Sequence, residues 1–150
     1  MSLYDAGGKR IFVAEDDAAI AELLTTRLEI AGYRVNVAHD GANALRLILL
    51  KPPAAVILDV NMPKLDGFSV LRTMRSHPAC ARTPVLMLTA RKSAADVRMA
   101  REYGANDYLA KPFEDSQLLT RVERLLRSGR TPSAAAAPVP PAVEDGATFL

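Results

Sequence analysis

The sequence predicts a doubly wound α/β fold: five parallel strands in the order 2-1-3-4-5, flanked by five helices. Three observations carry this. Short apolar runs alternate five times with segments of helical period, a pattern that calls for parallel strands joined by right-handed crossovers. The first, third and fourth runs are apolar throughout, as strands covered on both faces are. The second run alternates, which puts it at an edge and fixes the strand order.

The first strand is Ile11-Phe12-Val13-Ala14, halted by Glu15-Asp16-Asp17. Asp17 is an N-cap candidate for a helix carrying Ile20, Leu23, Leu24, Leu28 and Ala31 on one face, and Gly32 stands where a C-terminal cap belongs. Tyr33 to Ala38 alternates around Val35 and Val37. A second helix starts near Gly41, presents Ala44, Leu45, Ile48 and Leu49, and stops at Pro52-Pro53. The third strand, Ala54-Ala55-Val56-Ile57-Leu58, delivers Asp59 to its own end, and Pro63 prevents the segment from continuing. Asp66 caps a third helix with Phe68, Leu71 and Met74 inward. Pro84 to Ala90 is the fourth strand and ends in the hydroxyl of Thr89. Ser93 and Asp96 have capping-box spacing before a helix with Val97, Ala100 and Tyr103, closed by Gly104. Asp107 to Ala110 is a short strand stopped by Lys111-Pro112, and Leu118, Leu119, Val122, Leu125 and Leu126 form the core stripe of a last helix.

The chain has 150 residues and a formal net charge of +2, enough length for one domain with its own core and too little charge to argue for nucleic acid. The single Cys80 cannot form an internal disulfide, no apolar run is long enough to span a membrane, and the N-terminus lacks the pattern of a signal peptide; a cytoplasmic home is expected. Residues 1–8 read as a flexible start, 9–127 as the domain, and 128–150 as a disordered Ala/Pro-rich tail or linker, favoured as a tether to an effector. His39, His77 and Cys80 belong to no motif and are assigned to loop or helix-end surface.

In the order 2-1-3-4-5 the winding reverses between strands one and three, so a crevice opens at their carboxyl ends. Glu15, Asp16 and Asp59 meet there, with Thr89 and Lys111 on the same rim. An acid at a strand end is either a turn cap or part of a site; Asp17 suffices as the cap, which leaves Glu15 and Asp16 over. Clustered carboxylates need compensation, and an oxygen-rich, water-accessible site suits Mg²⁺ better than zinc.

Glu15-Asp16-Asp17, Asp59-Val-Asn-Met-Pro, Leu88-Thr89-Ala90 and Tyr108-Leu-Ala-Lys111-Pro112-Phe113 together resemble the receiver (CheY-like) domain of bacterial two-component response regulators, over residues 9 to 127. The resemblance implies a flavodoxin-like fold and a phosphorylation-activated switch. Asp59 would accept a phosphoryl group from a histidine kinase or phosphotransfer protein. Glu15, Asp16, Asp59 and the Asn61 carbonyl would hold Mg²⁺, and Pro63 would bend the chain so that this carbonyl faces the metal. Thr89, the Ala90 amide and Lys111 would bind the phosphoryl oxygens, with Lys111-Pro112 in the cis form. Thr89 and Tyr108 would relay the event to the face of helix four, strand five and helix five, the ring of Tyr108 turning inward. The domain is then not an enzyme acting on other molecules, although it catalyses its own phosphorylation and dephosphorylation.

The same resemblance suggests a homodimer through that face, with an intersubunit Asp107 to Arg121 pair; the mild charge and the lack of a long apolar run lead us to expect no nucleic acid and no membrane as partners of this domain. Asn61 and Arg91 occupy positions that tune phosphoryl lifetime. Two other readings stand beside the switch. One is a phosphohydrolase of the haloacid dehalogenase type, which expects an acid where this chain has Asn61. The other is a pseudo-receiver that is never phosphorylated, against which the intact Glu15, Asp16, Asp59, Thr89 and Lys111 argue.

Overall fold

A computed structural model describes residues 8–90 and 94–128. Its elements run β1 (Arg10–Ala14), α1 (Ala18–Ile30), β2 (Arg34–Ala38), α2 (Gly41–Leu50), β3 (Ala55–Asp59), α3 (Gly67–Ser76), β4 (Val85–Thr89), α4 (Ala94–Glu102), β5 (Asp107–Ala110) and α5 (Asp115–Ser128). The five strands form one parallel sheet in the order β2-β1-β3-β4-β5. The expectations for Arg91, Ser93 and the tail beyond Ser128 lie outside the described residues, as does all of the N-terminal stretch but Gly8.

The strand period of two sorts the core into two layers. Phe12, Val56, Leu58, Val85 and Met87 face α2, α3 and α4, while Ile11, Val13, Ile57, Leu86 and Leu88 face α1 and α5. Every residue of β3 and β4 is buried, whereas β2 alternates between exposed and half-buried positions as an edge strand does. Among the described residues no helix is long and apolar enough to cross a membrane.

Aspartates start three of the helices. Oδ1 of Asp17 accepts from the amides of Ala19 (2.9 Å) and Ile20 (3.1 Å), Asp66 accepts from Ser69 (2.9 Å), and Asp40 accepts from Asn43 (2.7 Å). The Asp40 cap was not anticipated. Its place after the alternating β2 made Gly41 look like the start of the helix, when the acid before it satisfies the first free amides. Gly32 takes a φ of 101° just past α1, a left-handed conformation that favours glycine.

Two assignments need correction. Cys80 is buried, 1% exposed, with its thiol donating to the Met74 carbonyl at 3.5 Å, whereas His39 and His77 are exposed as expected. The turn after α3 folds back over the helix, and local sequence polarity does not report that. The second correction concerns Asp107 and Arg121. They pair within one chain, Nη1 to Oδ1 at 2.9 Å, with the Asp107 side chain enclosed and that of Arg121 only 11% exposed. Asp107 Oδ1 also accepts from the Tyr108 amide at 2.8 Å. An intersubunit pair of these two residues would first have to break this contact.

Arg121→Ala is accordingly expected to destabilise the monomer, by about 2 kcal/mol, because it leaves a buried carboxylate with a weakened set of partners. Urea denaturation checks this. A variant with wild-type stability that fails to self-associate would restore the intersubunit reading.

Candidate functional site

Parallel pairing puts the carboxyl ends of all five strands along one edge of the sheet, and the chain crosses to opposite faces after β1 and β3. At that reversal Glu15, Asp16 and Asp59 each offer an oxygen, all within 4.8 Å of one another. Glu15 is fully buried, Asp59 is 4% exposed, and Asp16 opens to solvent. Glu15 Oε2 accepts the Asp17 amide at 3.1 Å, so the turn into α1 holds this side chain in place.

Lys111 reaches the cleft from the end of β5. Its amide donates to the Thr89 carbonyl at 2.7 Å, which ties the ends of β4 and β5 together, and the Lys111-Pro112 peptide is cis as the resemblance implied. The ammonium lies 2.8 Å from Glu15 Oε1 and 3.2 Å from Asp59 Oδ1. Burial works to lower the Lys111 ammonium, but the Glu15 hydrogen bond and the charges of Asp59 and Glu15 outweigh it and hold the group above its ordinary value. Asp59 goes the other way. Burial first, then the charge of Glu15, push its carboxyl from 3.8 up to about 7, and Lys111 offsets only part of this.

Among the described residues, three carboxylates face one ammonium, which leaves the cleft short of positive charge. Two like charges 4 Å apart repel by about 4 kcal/mol at an effective dielectric near 20, so the donor set fits a hard divalent cation held by oxygens.

Backbone packing fixes the acceptor from behind. The Val60 amide donates to the Leu88 carbonyl at 2.9 Å, extending the β3-β4 ladder one residue past Asp59. The Gly67 amide donates to the Val60 carbonyl at 2.8 Å, and a Cβ at Gly67 would lie 2.2 Å from the Asp59 carbonyl oxygen. Only glycine allows α3 to start so close to Asp59. Asp66-Gly67 was read for its cap alone; this close approach is a tertiary contact that a turn dipeptide does not announce.

The remaining expected site residues fall as follows. Thr89 is fully buried at the end of β4, while Ala90 and Asn61 are exposed at the rim. Pro63 uses its carbonyl to accept from the amides of Leu65 (2.7 Å) and Gly41 (3.3 Å), which links the loop after β3 to α2. Tyr108 is fully buried, its ring already inside the core layer with Met87, Val97 and Ala105, where the resemblance led us to expect a ring that turns inward on activation.

Known proteins with this architecture and cleft match the chain over most of its described length. The family model described as response regulator receiver domain matches residues 11–123. The chain is similar to the DNA-binding dual master transcriptional regulator RpaA of Synechocystis, 42% identical over 127 residues that make up 84% of this chain and 53% of that protein. Among solved structures it resembles a response regulator from Chloroflexus aurantiacus, 40% identical with a TM-score of 0.77, covering 79% of this chain and 98% of that one. It also resembles the receiver domain of the sensor histidine kinase PA1611 from Pseudomonas aeruginosa, described with a magnesium ion coordinated in the active site cleft. That pair is 32% identical with a TM-score of 0.75, over 80% of this chain and 98% of the other. The chain spans about half the length of the curated relatives it matches. With the reversed sheet, the acidic cleft and a match running from β1 into α5, the chain belongs to the receiver domain family of two-component response regulators.

Proposed function

We propose that the domain is a phosphorylation-driven switch whose acceptor is Asp59. The observation that carries this is the Lys111 ammonium set between Glu15 and Asp59 at the mouth of a cleft that holds a third acid, Asp16. An Asp59 oxygen attacks the phosphorus of a phosphohistidine on a histidine kinase or phosphotransfer protein; the O–P bond forms, the P–N bond breaks, and the imidazole leaves with the electron pair. Phosphoryl transfer asks mainly for a positioned nucleophile and positive charge over the transferring oxygens. Lys111 supplies one such charge and the Thr89 hydroxyl and Ala90 amide supply donors.

Magnesium, held by Glu15, Asp16, Asp59 and the Asn61 carbonyl, would neutralise the acids and draw charge from the phosphoryl oxygens. Once Asp59 is modified, Lys111 exchanges a carboxylate partner for a phosphoryl group of roughly −1.5 to −2 charge. Thr89 then moves toward that group, and Tyr108 behind it carries the change to the surface of α4, β5 and α5. With Tyr108 enclosed in this structure, modification would hold the ring in place rather than bring it in. A homodimer through this surface would have to use its exposed side chains, such as Met99 and Arg98. Residues 128–150 would tether a partner domain, a reading supported by relatives about twice as long as the matched region, one of them DNA-binding.

Incubation with Mg²⁺ and acetyl phosphate, followed by intact-mass measurement over time, tests the reading. The expected result is a slowly lost phosphoryl adduct that disappears with EDTA and in Asp59→Asn. Rapid multiple turnover of phosphate esters would instead mark a hydrolase, and the absence of any adduct a pseudo-receiver.

A further inference from the structure

The turn between β2 and α2, His39-Asp40-Gly41, touches both loops that carry the acids. On one side the Glu15 amide donates to the Ala38 carbonyl at 3.0 Å, and the Glu15 carbonyl lies 3.0 Å from His39 Nδ1. A carbonyl can only accept, so this bond requires the proton on Nδ1. On the other side the Gly41 amide donates to the Pro63 carbonyl at 3.3 Å, and a Cβ on Gly41 would stand 1.7 Å from the Leu65 carbonyl oxygen. Asp40, while capping α2, also places a carboxylate oxygen 3.9 Å from the Lys64 ammonium. The turn is itself anchored, because α2 buries Ala44 and Ile48 in the core.

The loop after β1 bears Glu15 and Asp16; the loop after β3 bears Asp59 and Asn61. The spacing between these loops sets how closely their oxygens can converge, and a hard cation with a strict octahedral preference is sensitive to small displacements. His39 acts at the more exposed half of the site. The Glu15 carbonyl and the Asp16 amide belong to one planar peptide unit, so holding the carbonyl fixes the direction from which the solvent-facing Asp16 enters the cleft.

We propose that His39-Asp40-Gly41 is a bracket that sets the separation of the two acidic loops, and that His39 is a positioning residue for the cation site acting through the Glu15-Asp16 peptide. The inference rests on the reading of the cleft as a Mg²⁺ site.

Thermal denaturation across a Mg²⁺ series, without phosphodonor, tests it on the wild type and on His39→Ala, His39→Asn and His39→Gln. An Asn amide nitrogen falls where Nδ1 lies, a Gln amide nitrogen falls nearer Nε2, and Ala offers no donor. The expected result is a half-saturating Mg²⁺ concentration raised about fivefold in the Ala and Gln variants, the loss of one hydrogen bond, and within about twofold of wild type in the Asn variant. Midpoints in EDTA should fall only slightly in the Ala and Gln variants, by no more than one hydrogen bond accounts for. Unchanged half-saturation in His39→Ala, with or without a lower EDTA midpoint, overturns the bracket alone, as does an Asn variant as weak as Ala. A wild type whose midpoint does not respond to Mg²⁺ overturns the cation reading and the bracket together.

Discussion

Replacing Asp59 with Asn should make the folded domain more stable, by about 2–3 kcal/mol at pH 8 in EDTA, while abolishing the phosphoryl adduct. Asp59 ionises at about 7 in the fold against an ordinary 3.8, because burial and the charge of Glu15 oppose ionisation. A displacement of about three pH units at about 1.4 kcal/mol each sets a ceiling near 4 kcal/mol, and screening by water at the mouth of the cleft brings the expectation below it. The sign follows from proton uptake. Between the two pKa values the folded state holds a proton that the unfolded chain releases. The wild-type contribution of Asp59 is therefore fully favourable below about pH 4 and is lost as pH rises through 7. The advantage of Asn should be near zero at pH 4, grow across the interval and level off above 7. At pH 8 it corresponds to a rise in melting midpoint of roughly 10 °C. Urea denaturation of both proteins from pH 5 to 8 measures this. An Asn variant no more stable than wild type at pH 8 would show that the carboxylate is not under strain. Added Mg²⁺ should narrow the gap, since it stabilises the wild type by mass action and the variant less.

The second large effect is expected far from the cleft. Arg75, in the last turn of α3, donates through Nε and Nη2 to the Gly104 carbonyl at 3.0 and 2.8 Å and through Nη1 to the Thr83 carbonyl at 2.7 Å. Nη1 also lies 3.3 Å from the Cys80 and Ala81 carbonyls, and Nη2 donates to Asn106 Oδ1 at 3.1 Å. The same Asn106 oxygen accepts the Val85 amide at 2.9 Å, at the start of β4. Burial lowers the guanidinium to about 10, which still leaves it charged at neutral pH. One planar cation thus satisfies the turn before β4 and the turn before β5 together. Gly104, with φ at 99°, would bring a Cβ to 2.9 Å from Arg75 Nε, so glycine alone makes room for it.

Arg75→Ala should cost about 3–5 kcal/mol in urea denaturation, since several carbonyls lose their donor at once and a packed stem is removed. Arg75→Lys should recover only a minority of this, because an ammonium cannot present the planar fork of donors that spans both turns. Amide hydrogen exchange should accelerate first at residues 80–85 and 104–107. A loss below about 1 kcal/mol in the alanine variant, or a lysine variant equal to wild type, would remove Arg75 from this role.

These residues also mark how far the sequence can be read. The alternation of apolar runs and helical stripes gave strand order, and strand order placed Glu15, Asp16, Asp59, Thr89 and Lys111 on one rim; both follow from periods of two and 3.6 and from the handedness of crossovers. What escaped is set by contacts between segments distant in the chain. Arg75 carries no periodic signal, and its partners are backbone carbonyls, which every residue possesses. Asp107 and Arg121 are a plausible surface pair until the enclosure of Asp107 shows that they close within one chain. Cys80 sits in a short Pro-Ala-Cys-Ala turn with no periodic pattern around it, and is buried because that turn folds back over α3. His39 read as loop surface and Gly41 as a helix start, and their contacts run to loops 22 or more positions away.

The enclosed ring of Tyr108 bears on how such a device behaves without input. If the inward rotamer is the common one before modification, the unmodified domain already spends part of its time in the output-competent arrangement. A signal then works by changing a ratio, and its ceiling is set by how little of the other state remained. Such a relay would respond to a modest stimulus but with a raised floor: residual output without stimulus, and a narrow range between silence and full response.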